Sequence, residues 1–178
     1  HKIFDFADEV IYQGIERCTV AYDPENDQLE INSASNSGNK YGMAQINMTE
    51  LLSGADIATV EFDVFIPNGS RWYISLVNAE VRPGASDRIN YDTEGVALYL
   101  GTKDGTSFSV NGQTIAGTPL DTWIHISCKF NNRLKTIMCE IKNKNTDQVY
   151  MSEEKDYTDY SCAQITAIEA YTWYQSNL

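Results

Sequence analysis

Apolar residues recur at every second position along most of this chain. Val60, Phe62, Val64 and Ile66 alternate with Glu61, Asp63 and Phe65, and the run stops at Pro67-Asn68-Gly69-Ser70. Trp72, Ile74 and Leu76 alternate with Tyr73 and Ser75, and Val96, Leu98 and Leu100 with Ala97 and Tyr99. A period of two suits a strand with one buried face; a helix would need a repeat of about 3.6. Turn formers punctuate the runs. Lys103-Asp104-Gly105-Thr106 leads to Phe108 and Val110, and Asn111-Gly112 is a hairpin turn of the primed type. Residues 123–130 and 136–142 form another pair about Asn131-Asn132-Arg133. Further strands are expected at residues 2–6, 18–22, 28–32, 43–48, 148–153 and 165–173, and helical turns only at 49–53 and near 7–14. About twelve short strands spaced by turns predict an all-β, two-sheet antiparallel sandwich. With no internal repeat or break in composition, residues 1–178 read as one domain.

Charge narrows the partners. Thirteen Lys and Arg stand against 25 Asp and Glu, a net charge of −12, which repels phosphate backbones and disfavours nucleic acid. No apolar run approaches the roughly 18 residues that a membrane-spanning helix needs, so membrane insertion is not expected. The same acid excess argues against a polyanionic substrate.

Taking the apolar phase as inward leaves an opposite phase of Glu61, Asp63, Phe65, Tyr73, Ser75, Tyr99, His125, Ser127, Glu169, Tyr171 and Trp173. An ordinary solvent face is mostly Thr, Lys, Ser and Glu; here large aromatics interleave with carboxylates. Aromatic rings can stack on the C–H side of a pyranose while Asp, Glu and His bond its hydroxyls. Tyr73, Tyr99, Tyr171 and Trp173 are the candidate stacking rings, and Asp63, His125 and Glu169 the candidate hydroxyl partners. The plainer alternative is that these rings are covered by loops or by a second sheet, since aromatics are good strand formers.

Three segments carry a family resemblance. Asp121-Thr122-Trp123-Ile124-His125-Ile126-Ser127-Cys128 precedes a hairpin, Ile3-Phe4-Asp5-Phe6 opens the chain, and Ile165-Thr166-Ala167-Ile168-Glu169-Ala170 lies near its close. Together they resemble bacterial secreted β-sandwich domains of the concanavalin A-like (jelly-roll) superfamily, which includes laminin-G-like domains and many carbohydrate-binding modules. The resemblance implies a jelly roll, a polysaccharide or glycan as partner, and binding residues on the closing strand. It also raises a structural calcium beside the first strand, with Asp5 and Asp8 as candidate ligands here. The further strand that brings an Asp to that site in such modules has no counterpart before Leu178.

Catalysis is the competing reading. A retaining glycosidase needs two carboxylates about 5 Å apart, and Glu61 with Asp63 meets this on one strand face; Phe65 stands where the superfamily's glucanases place a third acid. A lyase would draw on His125 and a Tyr. No nucleophile elbow or phosphate loop is present. A third reading is a structural or adhesive domain whose aromatic face meets a neighbouring domain.

The chain opens at His1 without an initiator Met, so it reads as a segment of a larger, secreted or surface-attached multidomain protein whose other domains are partners. Its four cysteines, Cys18, Cys128, Cys139 and Cys162, allow three pairings and show no zinc spacing. Cys128 and Cys139 fall in the apolar phase of adjacent strands, as buried thiols or as a bridge. The expectation is a non-catalytic module binding a neutral or weakly charged polysaccharide.

Overall fold

The computed structural model describes residues 10–14, 18–33, 41–52, 54–78, 95–102, 105–117, 120–160, 162–173 and 176–177. The first strands are β1 (Val10–Gly14), β2 (Cys18–Asp23), β3 (Gln28–Ser33) and β4 (Tyr41–Asn47), followed by one helical turn, α1 (Thr49–Leu52). Next come β5 (Ile57–Phe65), β6 (Arg71–Val77), β7 (Val96–Thr102), β8 (Ser109–Val110) and β9 (Gln113–Thr114). The series ends with β10 (Trp123–Asn131), β11 (Thr136–Asn143), β12 (Val149–Asp156), β13 (Ala167–Trp173) and β14 (Ser176–Asn177). The helical turn at 49–53 is present, whereas the described part of 7–14 is strand β1. The strand expected at 2–6 lies outside the described residues.

The strands form a seven-stranded sheet, β1-β4-β13-β6-β7-β8-β9, a four-stranded sheet, β12-β11-β10-β5, and a three-stranded sheet, β14-β3-β2. Every pairing is antiparallel. Asn111 and Gly112 both take positive φ, 47° and 78°, as a primed turn between β8 and β9 requires.

The core lies between the large sheet and the four-stranded one. Trp72, Ile74, Leu76, Leu98 and Leu100 from the first pack with Val64, Ile124, Ile126, Cys128, Phe130, Ile137, Cys139 and Ile141 from the second. Each large aliphatic buried there contributes roughly 1.5–3 kcal/mol relative to exposure. Val60 and Phe62 are only partly buried, at the edge of this cluster. The three-stranded sheet extends the same side, with Ile31 packed on Ala44, Ile46 and Ala170.

One core assignment is corrected by a bulge. The register shifts between Leu76 and Val77, which pair with Leu98 and Val96. The extra residue, Ala97, turns into the main core, and Val96 joins Val77 and Ala167 in a separate cluster. A bulge inverts the phase of what precedes it, which simple alternation cannot foresee.

Candidate functional site on the large sheet

The large sheet's other face, turned away from the core, is where polar residues gather. Strand β13 lies between β4 and β6, with Glu169 opposite Gln45 on one side and Ser75 on the other. Ser75 in turn faces Tyr99 on β7. Gln45, Glu169, Ser75 and Tyr99 therefore form one transverse row across four strands. The next row holds Tyr171 opposite Tyr73, which faces Gly101.

This row is buried although it is not core. Ser75 and Glu169 are 0% exposed, Gln45 3% and Tyr73 5%, while Tyr99 is half-buried. Gln45 Nε2 donates to Glu169 Oε2 at 2.8 Å, which orients the amide and turns its Oε1 away from the carboxylate. Gln45 Oε1 and Ser75 Oγ are both buried without a hydrogen-bond partner. A buried polar atom left unpaired costs about 1–3 kcal/mol; two of the four such atoms among the described residues lie on this face, the others being Trp72 Nε1 and Thr172 Oγ1 in the core-facing phase.

Aromatic packing shapes the border of the row. The Tyr73 and Tyr99 rings meet edge to face, 6.0 Å apart at 70°. Tyr73 reclines over Gly101, where a Cβ would collide with its ring and with the Trp72 carbonyl. The β8–β9 turn braces Tyr99: Asn111 Oδ1 accepts from the Tyr99 N–H at 3.0 Å, and the Asn111 N–H donates to Tyr99 O at 2.9 Å.

Asp63 and His125 are elsewhere. They stand opposite each other on β5 and β10, on the outer face of the four-stranded sheet across the sandwich. His125 Nδ1 lies 2.8 Å from Asp63 Oδ1, and Lys144 Nζ 2.6 Å from Asp63 Oδ2. Partial burial pushes the Asp63 carboxyl up, but the hydrogen bonds from Lys144 and His125 outweigh it and hold it below its ordinary value. Lys144 also sits 5.5 Å over the Trp123 ring, which meets Phe65 edge to face. Glu61, two residues from Asp63, accepts from Ser127 Oγ at 3.2 Å.

The single ligand face expected from the sequence is thus corrected to two. Tyr73, Tyr99 and Glu169 share the large sheet; Asp63, His125 and Glu61 share the other. The reason is that strand phase tells inward from outward within a sheet but says nothing of which sheet a strand joins. Tyr171 and Trp173 occupy β13 in the phase of Glu169, and their side chains lie outside the described residues. Tyr73, at 5% exposure, is a floor residue. Sequence reasoning passed over Gln45, although Ala44, Ile46 and Met48 alternate with it and mark it as pointing away from the core.

Asp5 and Asp8, the calcium candidates, lie outside the described residues. Among the described residues no three His, Cys, Asp or Glu side chains gather as metal ligands. The acidic turn after β2 closes on itself: Asp23 accepts from the Glu25 N–H at 2.9 Å and from Asn26 Nδ2 at 2.8 Å.

Comparison with known proteins decides the fold. No protein-family model matches the chain, and no curated protein sequence matches it. A sialidase structure superposes with a TM-score of 0.64 at 11% identity, over 94% of this chain and 13% of the sialidase. Lectin II from Ulex europaeus superposes at 0.52 and 9% identity, over 93% of this chain and 84% of the lectin. The winged bean acidic lectin, solved with methyl-α-D-galactose, does so at 0.53 and 11%, over 95% and 85%. The chain has the jelly-roll fold that these structures share. In this jelly roll the chain spans about an eighth of the sialidase's length but most of each lectin's. The fold resemblance of the sequence is therefore correct.

Proposed function

We propose that this jelly roll is a non-catalytic carbohydrate-binding module, and that it recognises a neutral or weakly charged polysaccharide on the outward face of its seven-stranded sheet. The observation that carries the reading is the buried row in which Gln45 Oε1 and Ser75 Oγ lack partners beside the Glu169 carboxylate. In this proposal a carboxylate, an amide oxygen and a hydroxyl in one row accept from the vicinal hydroxyls of a sugar, which requires that the row, buried in this fold, become accessible. Tyr99, Tyr171 and Trp173 are the stacking rings in this proposal, with the buried Tyr73 beside Tyr99. The setting proposed is a secreted or cell-surface bacterial protein with further domains.

The chemistry favours binding over hydrolysis on this face. Among the residues of its seven strands Glu169 is the sole carboxylate, whereas glycosidases of the common mechanism use a pair. On the opposite sheet, both Asp63 oxygens are taken by His125 and Lys144, which leaves that carboxylate poorly placed to attack or to receive a proton.

The test is affinity electrophoresis across neutral polysaccharides, run beside reducing-sugar and unsaturated-product assays. Glu169→Gln, Ser75→Ala and Gln45→Ala should each weaken retardation at least tenfold while Asp63→Ala and His125→Ala leave it unchanged, with no product formed. Binding abolished only by Asp63→Ala or His125→Ala moves the site to the other sheet. Product lost on those same substitutions makes the protein an enzyme, and no binding at all leaves the domain-interface reading.

A further inference from the structure

Cys128 on β10 and Cys139 on β11 are register partners in the wall of the core. Both are fully buried, and their sulfurs lie 4.0 Å apart. Directly opposed residues of an antiparallel pair have Cα atoms about 4.5–5.5 Å apart, within the roughly 4.4–6.8 Å that a disulfide spans. Small side-chain rotations would close the gap without moving the backbone. Cys162 is also buried, on the segment after β12, with its thiol directed to Gln164 O at 3.6 Å.

We infer that Cys128 and Cys139 are a built cross-strand redox pair that closes to a disulfide through exchange with a small-molecule disulfide such as oxidised glutathione. In the folded protein, donation from Cys128 lowers the Cys139 thiol from its ordinary value against the opposing pull of burial. Burial in the folded protein pushes the Cys162 thiol up to about 11. The thiolate of one of the two cysteines attacks one glutathione sulfur, forming a mixed disulfide and releasing a glutathione thiolate. The other cysteine gives up its proton and attacks the first cysteine's Sγ, and the second glutathione leaves. Two cysteines are oxidised by two electrons, the glutathione disulfide is reduced by two, and both protons end on glutathione. Because neither sulfur is accessible in the folded protein, exchange occurs while the β10–β11 hairpin forms or opens.

The experiment is refolding of the full chain from denaturant in a glutathione redox buffer, followed by thiol titration in denaturant and peptide mapping. The free thiols should fall from four to two, with one linked peptide pair joining Cys128 to Cys139. A Cys18→Ser, Cys162→Ser double variant should lose its two remaining thiols in the same way. Four titratable thiols after refolding, or a bond through Cys18 or Cys162, overturns the inference. Should the variant fail to refold, the wild-type peptide map decides by itself.

Discussion

Asp63 shows how a residue chosen for one role is held in another. Its two oxygens bond His125 and Lys144 on the outer face of the four-stranded sheet, and its carboxyl titrates below its ordinary value of 3.8. A depressed value means that the unfolded chain takes up the proton more readily than the folded one. Asp63 therefore adds stability above about pH 4, and that contribution is lost as pH falls through the folded value. Urea unfolding of the wild type and Asp63→Asn between pH 7 and pH 2.5 should show the two curves converging at the acid end. A gap that stays constant with pH would refute the assignment. Glu169 is the contrasting residue: fully buried, bonded to Gln45, and on the face of its sheet turned away from the core. Its outward phase could be read from Ile168 and Ala170 on either side. Its neighbours could not, because Gln45 and Ser75 reach it only through pairings of distant segments.

Strand identity and facing were largely readable from local alternation, as β5, β6, β10 and β11 show. What escaped reading was non-local or irregular. The bulge at Ala97 interrupts the phase, and β1 has Gly14 and a short span where a helical turn was expected. Turns were readable where chemistry demands a residue, as at Asn111-Gly112. The loop between β10 and β11 holds a further device. Asn132 Oδ1 accepts from Tyr157 Oη at 2.7 Å and from the Ile165 N–H at 3.2 Å, while Asn132 Nδ2 donates to Ala55 O at 3.1 Å. Lys135 Nζ adds bonds to the carbonyls of Cys162 and Ala163, at 2.6 and 2.7 Å. One hairpin loop thus gathers the approach to β5 and the whole passage from β12 to β13. Asn132→Ala strands a buried hydroxyl and a buried backbone N–H, and should lower unfolding free energy by about 1–3 kcal/mol. Chemical denaturation monitors this, and a change under 0.5 kcal/mol, the ordinary range for surface substitutions, would dismiss the loop as a tie.

Net charge acts on the molecule as a body. At −12 the protein repels polyanions at long range, yet a neutral glycan feels none of that field. Affinity for such a ligand should change less than about twofold between 50 and 500 mM NaCl, since screening acts on charge pairs alone. Isothermal titration at the two salt concentrations measures it, and a tenfold loss at high salt would indicate an ionic ligand instead. The order of strands in the large sheet has a different consequence, for synthesis. Strand β13 joins β4 to β6, so a nascent chain carries both with open edges until Ala167–Trp173 has left the ribosome. Until then the two halves of that sheet are separate aggregation hazards, and the row of Gln45, Glu169 and Ser75 does not exist. A cell making this protein must shelter those edges from the emergence of β4 and β6 until that of β13.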